Sequence, residues 1–599
     1  MQSDFSSAQG KNKTLFGSKK TKKKESTHEN FPPTSKDKLR LILVWLAILS
    51  SIMGLGWRLF QLQIKNSYQL EEKARQQQLI NLAPYLPRRS IVDSQNNVVA
   101  TDKIEYTLYA HPIILKEDKQ VIARDLAEIL LTQRPQEILK KLNQKPTGIL
   151  LKRGLNEEQA EKVKQLKSDG LEVIQRYTRF YPQDELIADV IGYVNVDHLG
   201  QAGVEYSQQK LLKRHFPMLE VRRAGNGAII PVNLPEELVE LDDLQLQLTI
   251  DLRLQRSVRE ALREQIRKFN AKRGAVIVMD ATDGSILSIA CEPTYNPNTY
   301  YKYDLELFKN WTITDAYEPG STFKPINVAI ALEAGVISPD SHVHDPGHAV
   351  VDGWNIYNAS KTGAGLINIT KVLENSSNVG MINIMRRLDK QKYYQKLKEL
   401  GLGKITGVDL PFEAAGYLKE EKLFTARSIE PAVTAFGQGF SLTPLQLVQL
   451  HASLANGGKL VRPHVIKGRV DSQGNLESGS QPEFKQIFSE STTGHVLKMM
   501  ESVVANGTGE PAKIEGYRIG GKTGTAQKAG KKGGYLANAK ITSFVAIFPI
   551  NSPRYVLLAV VDEPKGGNTF GSTVAAPVVK EVMKSLISIK GIPPTGPTR

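Results

Sequence analysis

Three short stretches carry side chains that could cooperate in nucleophilic chemistry. In Tyr317-Glu318-Pro319-Gly320-Ser321-Thr322-Phe323-Lys324-Pro325 a hydroxyl and an amine stand three residues apart at a helix start. Pro319-Gly320 breaks the preceding chain, and an apolar run follows through Val328, Ile330 and Leu332. The spacing puts Ser321 and Lys324 on one helical face, where an amine can take the hydroxyl's proton and make it a competent nucleophile. The positive end of a helix also favours negative charge developing nearby. In Asn375-Ser376-Ser377-Asn378-Val379-Gly380, between two helical patterns, Ser376 and Asn378 can present a hydroxyl and an amide from a loop, or simply cap the second helix. Gly521-Lys522-Thr523-Gly524-Thr525-Ala526 reads as a strand edge with an amine, two hydroxyls and a glycine that lets a ligand approach the backbone.

Competing chemistries fit less well. Gly516 to Thr523 satisfies the G-x-x-x-x-G-K-[ST] phosphate-loop pattern, which needs a buried strand before it and a helix after it. Here Ala512-Lys513-Ile514-Glu515 is polar, and Gly530-Lys531-Lys532-Gly533-Gly534 cannot open a helix, so a nucleotide is excluded. His198, His215, His342 and His344 have the spacing of no familiar metal site, and Asp562-Glu563 reads as the approach to the Gly566-Gly567 turn. Cys291 is the only cysteine, which excludes an intrachain disulfide and a cysteine-ligated cluster. No metal and no cofactor are expected.

The elements that must position these residues follow from patterning. A chain of 599 residues exceeds one core, so several domains are expected. Its net charge of +16 is concentrated in a basic segment, from Lys11 to Arg40, that precedes the first apolar run, so no nucleic-acid partner is implied. Residues 1–38 read as a cytoplasmic basic tail and 39–60 as an uncleaved membrane anchor, because Leu41 to Trp57 contains no charge. The remainder is then extracytoplasmic, and an exported chain without disulfides points to the bacterial envelope. An exposed helix should continue through Leu62, Leu70 and Leu79 until Pro84 and Pro87 end it. Residues 61–240 read as an elongated mixed α/β pedestal with a hairpin at Arg88 to Ala100 and strands paired across long loops. From 241 to 590 the order is a strand at Leu244 to Thr249, a helix capped by Asp251, and two strands at Gly274 to Met279 and Ser285 to Ala290. A helical middle and strands at Thr542 to Phe548 and Tyr555 to Val561 follow, then a helix from Ala575. Strands at both ends imply one α/β (α+β) domain with an antiparallel sheet. Residues 591–599 form a polar tail.

Ser-x-x-Lys, Ser-x-Asn and Lys-Thr-Gly in this order are the motif set of penicillin-interacting serine acyltransferases. Ser377 replaces the Asp of the class A β-lactamase form. With Arg179-Phe180-Tyr181-Pro182, Gly192-Tyr193-Val194 and Gly437-Gln438-Gly439, the chain past residue 40 resembles a class B penicillin-binding protein, most closely the division-specific FtsI type. The elongation-specific type is the alternative; a β-lactamase, a β-lactam sensor and a non-catalytic scaffold fit less well. The resemblance implies a peptidoglycan D,D-transpeptidase of the inner membrane, inhibited by β-lactams, that joins stem peptides during septal wall synthesis beside a membrane-embedded lipid II polymerase and other division proteins. It further implies Ser321 as nucleophile and Lys324 as base, with Ser376, Asn378 and Lys522 as catalytic partners. Thr523, Gly524 and Thr525 would bind substrate, and the backbone N–H groups of Ser321 and Thr525 would form the oxyanion hole.

Overall fold

The computed structural model describes residues 35–594 apart from 83–85, 132, 215–218, 224–228, 232–241, 480–481 and 530–533. Residues 1–34 of the basic tail, 595–599 of the polar tail and His215 lie outside the described residues. Contacts divide the chain into two units, residues 1–83 with 218–235 and residues 84–217 with 236–599.

In the smaller unit a helix runs over Ser35–Phe60, passes through a π-helical turn at Gln61–Lys65 and resumes as Ser67–Gln78. Its segment Lys38–Lys65 is long and apolar enough to cross a bilayer. The helix stops one residue before the expected Leu79. Leu79–Leu82 is instead a strand that pairs antiparallel with Leu219–Arg223, Leu79 opposite Arg222. The β-branched Ile80 suits that conformation, and a partner far along the chain overrides local helical preference.

The larger unit is organised by two sheets. One sheet has seven strands, in the order Leu476–Gly479, Ile466–Val470, Gln245–Leu248, Ile91–Val92, Val98–Ala110 and Ile149–Leu155, with Leu171–Phe180 also paired to Val98–Ala110. The expected hairpin is present, turning at Asn96 with φ +64°, and its second strand is longer than the pattern suggested. Ile91–Val92 pairs parallel to Gln245–Leu248, so this sheet takes strands from both sides of residue 240.

Beside this sheet lies a buried ionic cluster. Arg179 donates to Glu205 at 2.6 Å and to Asp102 at 2.9 Å, and Arg88 donates to the other Glu205 oxygen at 2.8 Å. All four side chains are at most 3% exposed. The Arg179 stretch is therefore a structural fastener, and Tyr193 packs against Tyr300 at 4.5 Å.

The second sheet is wholly antiparallel, in the order Ile286–Glu292, Arg273–Asp280, Tyr555–Asp562, Tyr535–Phe548 and Gly520–Ala529. Strand alternation divides its side chains. Val276, Val278 and Phe544 pack with Leu254, Val258 and Leu262 of the helix Leu252–Lys268, and with Val578 and Val582 of the helix Gly571–Lys590. Ile277, Met279, Val545 and Leu558 face the helical middle, including Leu447 and Met500. Asp251 accepts from Arg253 N–H and caps the first helix, as its position before the apolar rhythm implies. The outcome is the expected α/β domain closed by its two ends, with Gly520–Ala529 as the edge strand.

Glu205→Ala would leave two buried guanidinium groups without their shared carboxylate. The expected loss is about 3–5 kcal/mol of stability, read by urea unfolding. A variant as stable as the parent would show that the cluster is not a fastener.

Candidate active site

The turn that carries Ser321 depends on tight backbone packing. Gly320–Phe323 forms one 3₁₀ turn that leads into the α-helix Lys324–Glu333, with Pro325 in its first turn. Residues three apart eclipse in 3₁₀ geometry, which puts Ser321 and Lys324 on one side as their spacing implied. Gly320 has φ +57° and donates its N–H to Gly437 O at 2.9 Å, and Thr322 Oγ1 donates to Pro319 O at 2.7 Å. A Cβ on Gly437 would lie 2.0 Å from Gly320 O, so only glycine lets that loop back the turn. Farther along the helix, Asn327 donates to the carbonyls of Thr434 and Ala435 and accepts from Tyr393.

The Ser376 loop joins the helices Ile369–Glu374 and Asn378–Met385. The capping role falls to Ser377, whose Oγ accepts from Gly380 N–H at 2.8 Å. That leaves Ser376 and Asn378 available for other contacts. Ser376 takes φ +52°, a left-handed conformation uncommon for a residue with a side chain and frequent at functional sites.

The edge strand Gly520–Ala529 brings Lys522 to the same point. Lys522 Nζ donates to Ser376 Oγ at 2.9 Å. Lys324 Nζ donates to Ser376 O at 2.6 Å, to Asn378 Oδ1 at 2.8 Å and, at 3.3 Å, to Ser376 Oγ. Both lysines are wholly buried, and Ser321 is half-buried. Among the described residues the hydrogen bonds of Lys324 go to the Ser376 loop and none goes to Ser321. Thr525 is exposed, with its Oγ1 accepting from Gly571 N–H at 3.1 Å, whereas Thr523 is buried and donates to Thr508 at 2.9 Å. Gly524 has a different reason for being glycine from the one its sequence setting suggests. A Cβ there would meet Ser543 Oγ at 2.4 Å and Thr322 Cγ2 at 2.9 Å, so it admits the Ser321 turn.

Burial, reinforced by the charge of Lys522, holds Lys324 well below the usual lysine range, with Asp345 acting the other way. Burial brings Lys522 down to about 7. Two amines with low proton affinity converge on one hydroxyl beside a half-exposed serine. Such a set can accept, relay and return a proton close to neutral pH.

Several supporting residues have no sequence signal of their own. Glu318, pushed up by burial, accepts from Gly439 N–H at 2.9 Å and from Tyr535 at 3.0 Å. Asn358 accepts from the backbone N–H of Asn378 and Val379. Asp562 and Glu563 form ion pairs with Lys528, and Asp562 also pairs with Arg273. A cavity of about 310 Å³ opens there, between Arg273, Trp311, Glu318 and Lys528. The phosphate-loop pattern runs into the strand Gly520–Ala529 with no helix after it. His342 and His344 are exposed on the strand His342–Asp345.

Comparison with known proteins agrees with this architecture. Residues 274–584 match the penicillin binding protein transpeptidase domain, and residues 85–215 match the penicillin-binding protein dimerisation domain. A protein of Mesostigma viride named peptidoglycan D,D-transpeptidase FtsI homolog is 43% identical over 583 residues, covering 93% of this chain and 97% of the relative. Escherichia coli peptidoglycan D,D-transpeptidase FtsI is 34% identical, covering 76% of this chain and 75% of its own length. In fold, the crystal structure of a peptidoglycan synthetase from Bifidobacterium adolescentis superposes with a TM-score of 0.68 at 24% identity, over 87% of this chain and 98% of that one. With a dimerisation domain ahead of a transpeptidase domain that carries all three motifs, the chain belongs to the class B penicillin-binding proteins and is of the FtsI type.

Proposed function

We propose that this peptidoglycan D,D-transpeptidase works through Ser321 as nucleophile, with Lys324, Ser376, Asn378 and Lys522 as its proton-handling set. The observation that carries the assignment is Ser376 Oγ, within hydrogen-bond reach of both Lys522 and Lys324. Neutral Lys324 takes the Ser321 proton as Oγ attacks the carbonyl between the two terminal D-alanines of a stem peptide. Backbone N–H groups of Ser321 and Thr525 hold the oxyanion. The C–N bond breaks, D-alanine leaves with a proton passed through Ser376, and the acyl group stays on Ser321. An amine of a second stem then attacks, forming the cross-link, and the serine recovers its proton. Lys522, Thr523 and Thr525 bind the terminal carboxylate, while Gly524 keeps the strand against the nucleophile turn. β-Lactams acylate the same serine, because they present the same acyl group and carboxylate.

The membrane arrangement belongs to this reading. The Lys38–Lys65 helix supports a single-pass anchor. The basic tail before it supports a cytoplasmic N-terminus, with the catalytic part on the periplasmic side of the inner membrane. A membrane-embedded lipid II polymerase and other division proteins are the proposed partners, and septal wall synthesis is the proposed setting. Residues 61–240 serve as pedestal and 241–590 as the catalytic domain.

Fluorescent penicillin should form one adduct on the full chain in detergent, mapped to Ser321 and absent from Ser321→Ala. An adduct on another residue sinks the assignment. The pH profile of acylation adds a second check. The rate should rise as Lys324 loses its proton, below the usual lysine range, and fall as Lys522 loses its own. The falling limb should begin at about 7, or higher where the bound carboxylate holds the proton. Lys522→Arg, which stays charged, should lose the falling limb; retention of that limb would rule out Lys522 as its source.

A further inference from the structure

We propose that Asp345 and Asn358 are positioning residues for the proposed acyl transfer: they hold the Ser376 loop in its left-handed turn and set a carboxylate at the end of a hydrogen-bonded path that runs through Asn358 and Asn378 to Lys324. This rests on the assignment of Ser321 and its partners above. Asp345 ends the strand His342–Asp345, and Asn358 follows the strand Trp354–Tyr357. They are 1% and 7% exposed.

The Asn358 amide has all its ends engaged. Its Oδ1 accepts from Ser377 Oγ at 3.2 Å, from Asn378 N–H at 2.9 Å and from Val379 N–H at 3.1 Å. Its Nδ2 donates to both Asp345 oxygens, at 2.8 and 3.0 Å, and to Thr362 O at 3.1 Å. An amide has one accepting and one donating end, so this network fixes its orientation. The result is a continuous path from the Asp345 carboxylate through one amide to the N–H groups beside Ser376. Asn378 Nδ2 donates to Tyr357 O at 3.0 Å, which ties the same loop to the same strand. The approach of the two segments needs Gly347 and Gly363. A Cβ on Gly347 would lie 2.6 Å from Gly363 N, and one on Gly363 would lie 2.8 Å from Asp345 O.

The charge of Asp345 points to more than scaffolding. Its side chain accepts from Gly347 N–H at 2.9 Å and from Asn358, and no salt bridge to it is seen among the described residues. A buried carboxylate without a cation is costly unless positive charge lies near. The groups acting on Lys324 are Lys522, from the edge strand, and Asp345, which opposes it. His344 and His348 flank Asp345 in the chain and are exposed. Asp345 thus favours the protonated form of Lys324, while Asn358 keeps the loop where both amines reach it.

The test uses the full chain in detergent and fluorescent penicillin, with every rate normalised to the folded fraction. Adduct formation at Ser321 in the parent is read first; its failure strikes the site assignment and this proposal with it. Given a normal parent, Asp345→Asn keeps the volume and the Oδ1 acceptor for Gly347 and Asn358, gives up the Oδ2 acceptor and removes the charge. Its rising acylation limb should move to lower pH by roughly one unit. A purely structural Asp345 would change only the melting temperature. Asn358→Ala should slow the acylation step about 100-fold with the reversible binding constant changed less than a few-fold. An unmoved limb in Asp345→Asn overturns the proposal. Should that variant not fold, an Asn358→Ala acylation rate within a few-fold of the parent overturns it alone.

Discussion

Lys324 and Lys522 both donate to Ser376, at 3.3 and 2.9 Å, in a place from which solvent is excluded. Two full positive charges cannot share such a position cheaply, so at least one amine is driven toward its neutral form. Much of the surrounding structure serves to keep this crowded arrangement intact. The edge strand must reach far enough to deliver Lys522, the helix Lys324–Glu333 must be anchored through Asn327, and the Ser376 loop must hold a left-handed turn. If any of the three relaxed, the amines would separate and regain ordinary proton affinity.

The glycines belong to the same constraint. Gly320 lies in the Ser321 turn, with Gly437 and Gly524 against it, and at the last two a Cβ would come closer than 3 Å to a neighbouring atom. Backbone against backbone is the densest contact available, and it leaves the serine little freedom of position. The site is thus assembled from three segments far apart in the chain, meeting where side chains are absent.

Much of this was legible in the residues. Ser321, Lys324, Ser376, Asn378 and Lys522 lie in short stretches whose chemistry is local, and Asp251 caps the helix that its pattern announces. What escaped depends on long-range pairing. Leu79 looks helical until Arg222 stands opposite it. Ser377, instead of Ser376, takes the cap because the loop turns left-handed one residue earlier. Asn358 sits in Tyr357-Asn358-Ala359-Ser360, which reads as an ordinary turn, and only its distance from Asn378 reveals its use. The strand Gln245–Leu248 joins a sheet with Ile91–Val92, a pairing that no spacing rule anticipates.

The burial of Lys522 has a thermodynamic side. A fall from the free-lysine value of 10.5 to about 7 corresponds to roughly 5 kcal/mol against burying the charged amine. Because the folded value is the lower one, the unfolded chain holds more protons between about 7 and 10.5, and folding becomes easier as pH rises through that window. At neutral pH the folded chain therefore carries stored free energy in this amine. A carboxylate bound beside this amine would favour its proton and recover part of that free energy, so under the proposed assignment a cost of folding would become a preference for anionic ligands.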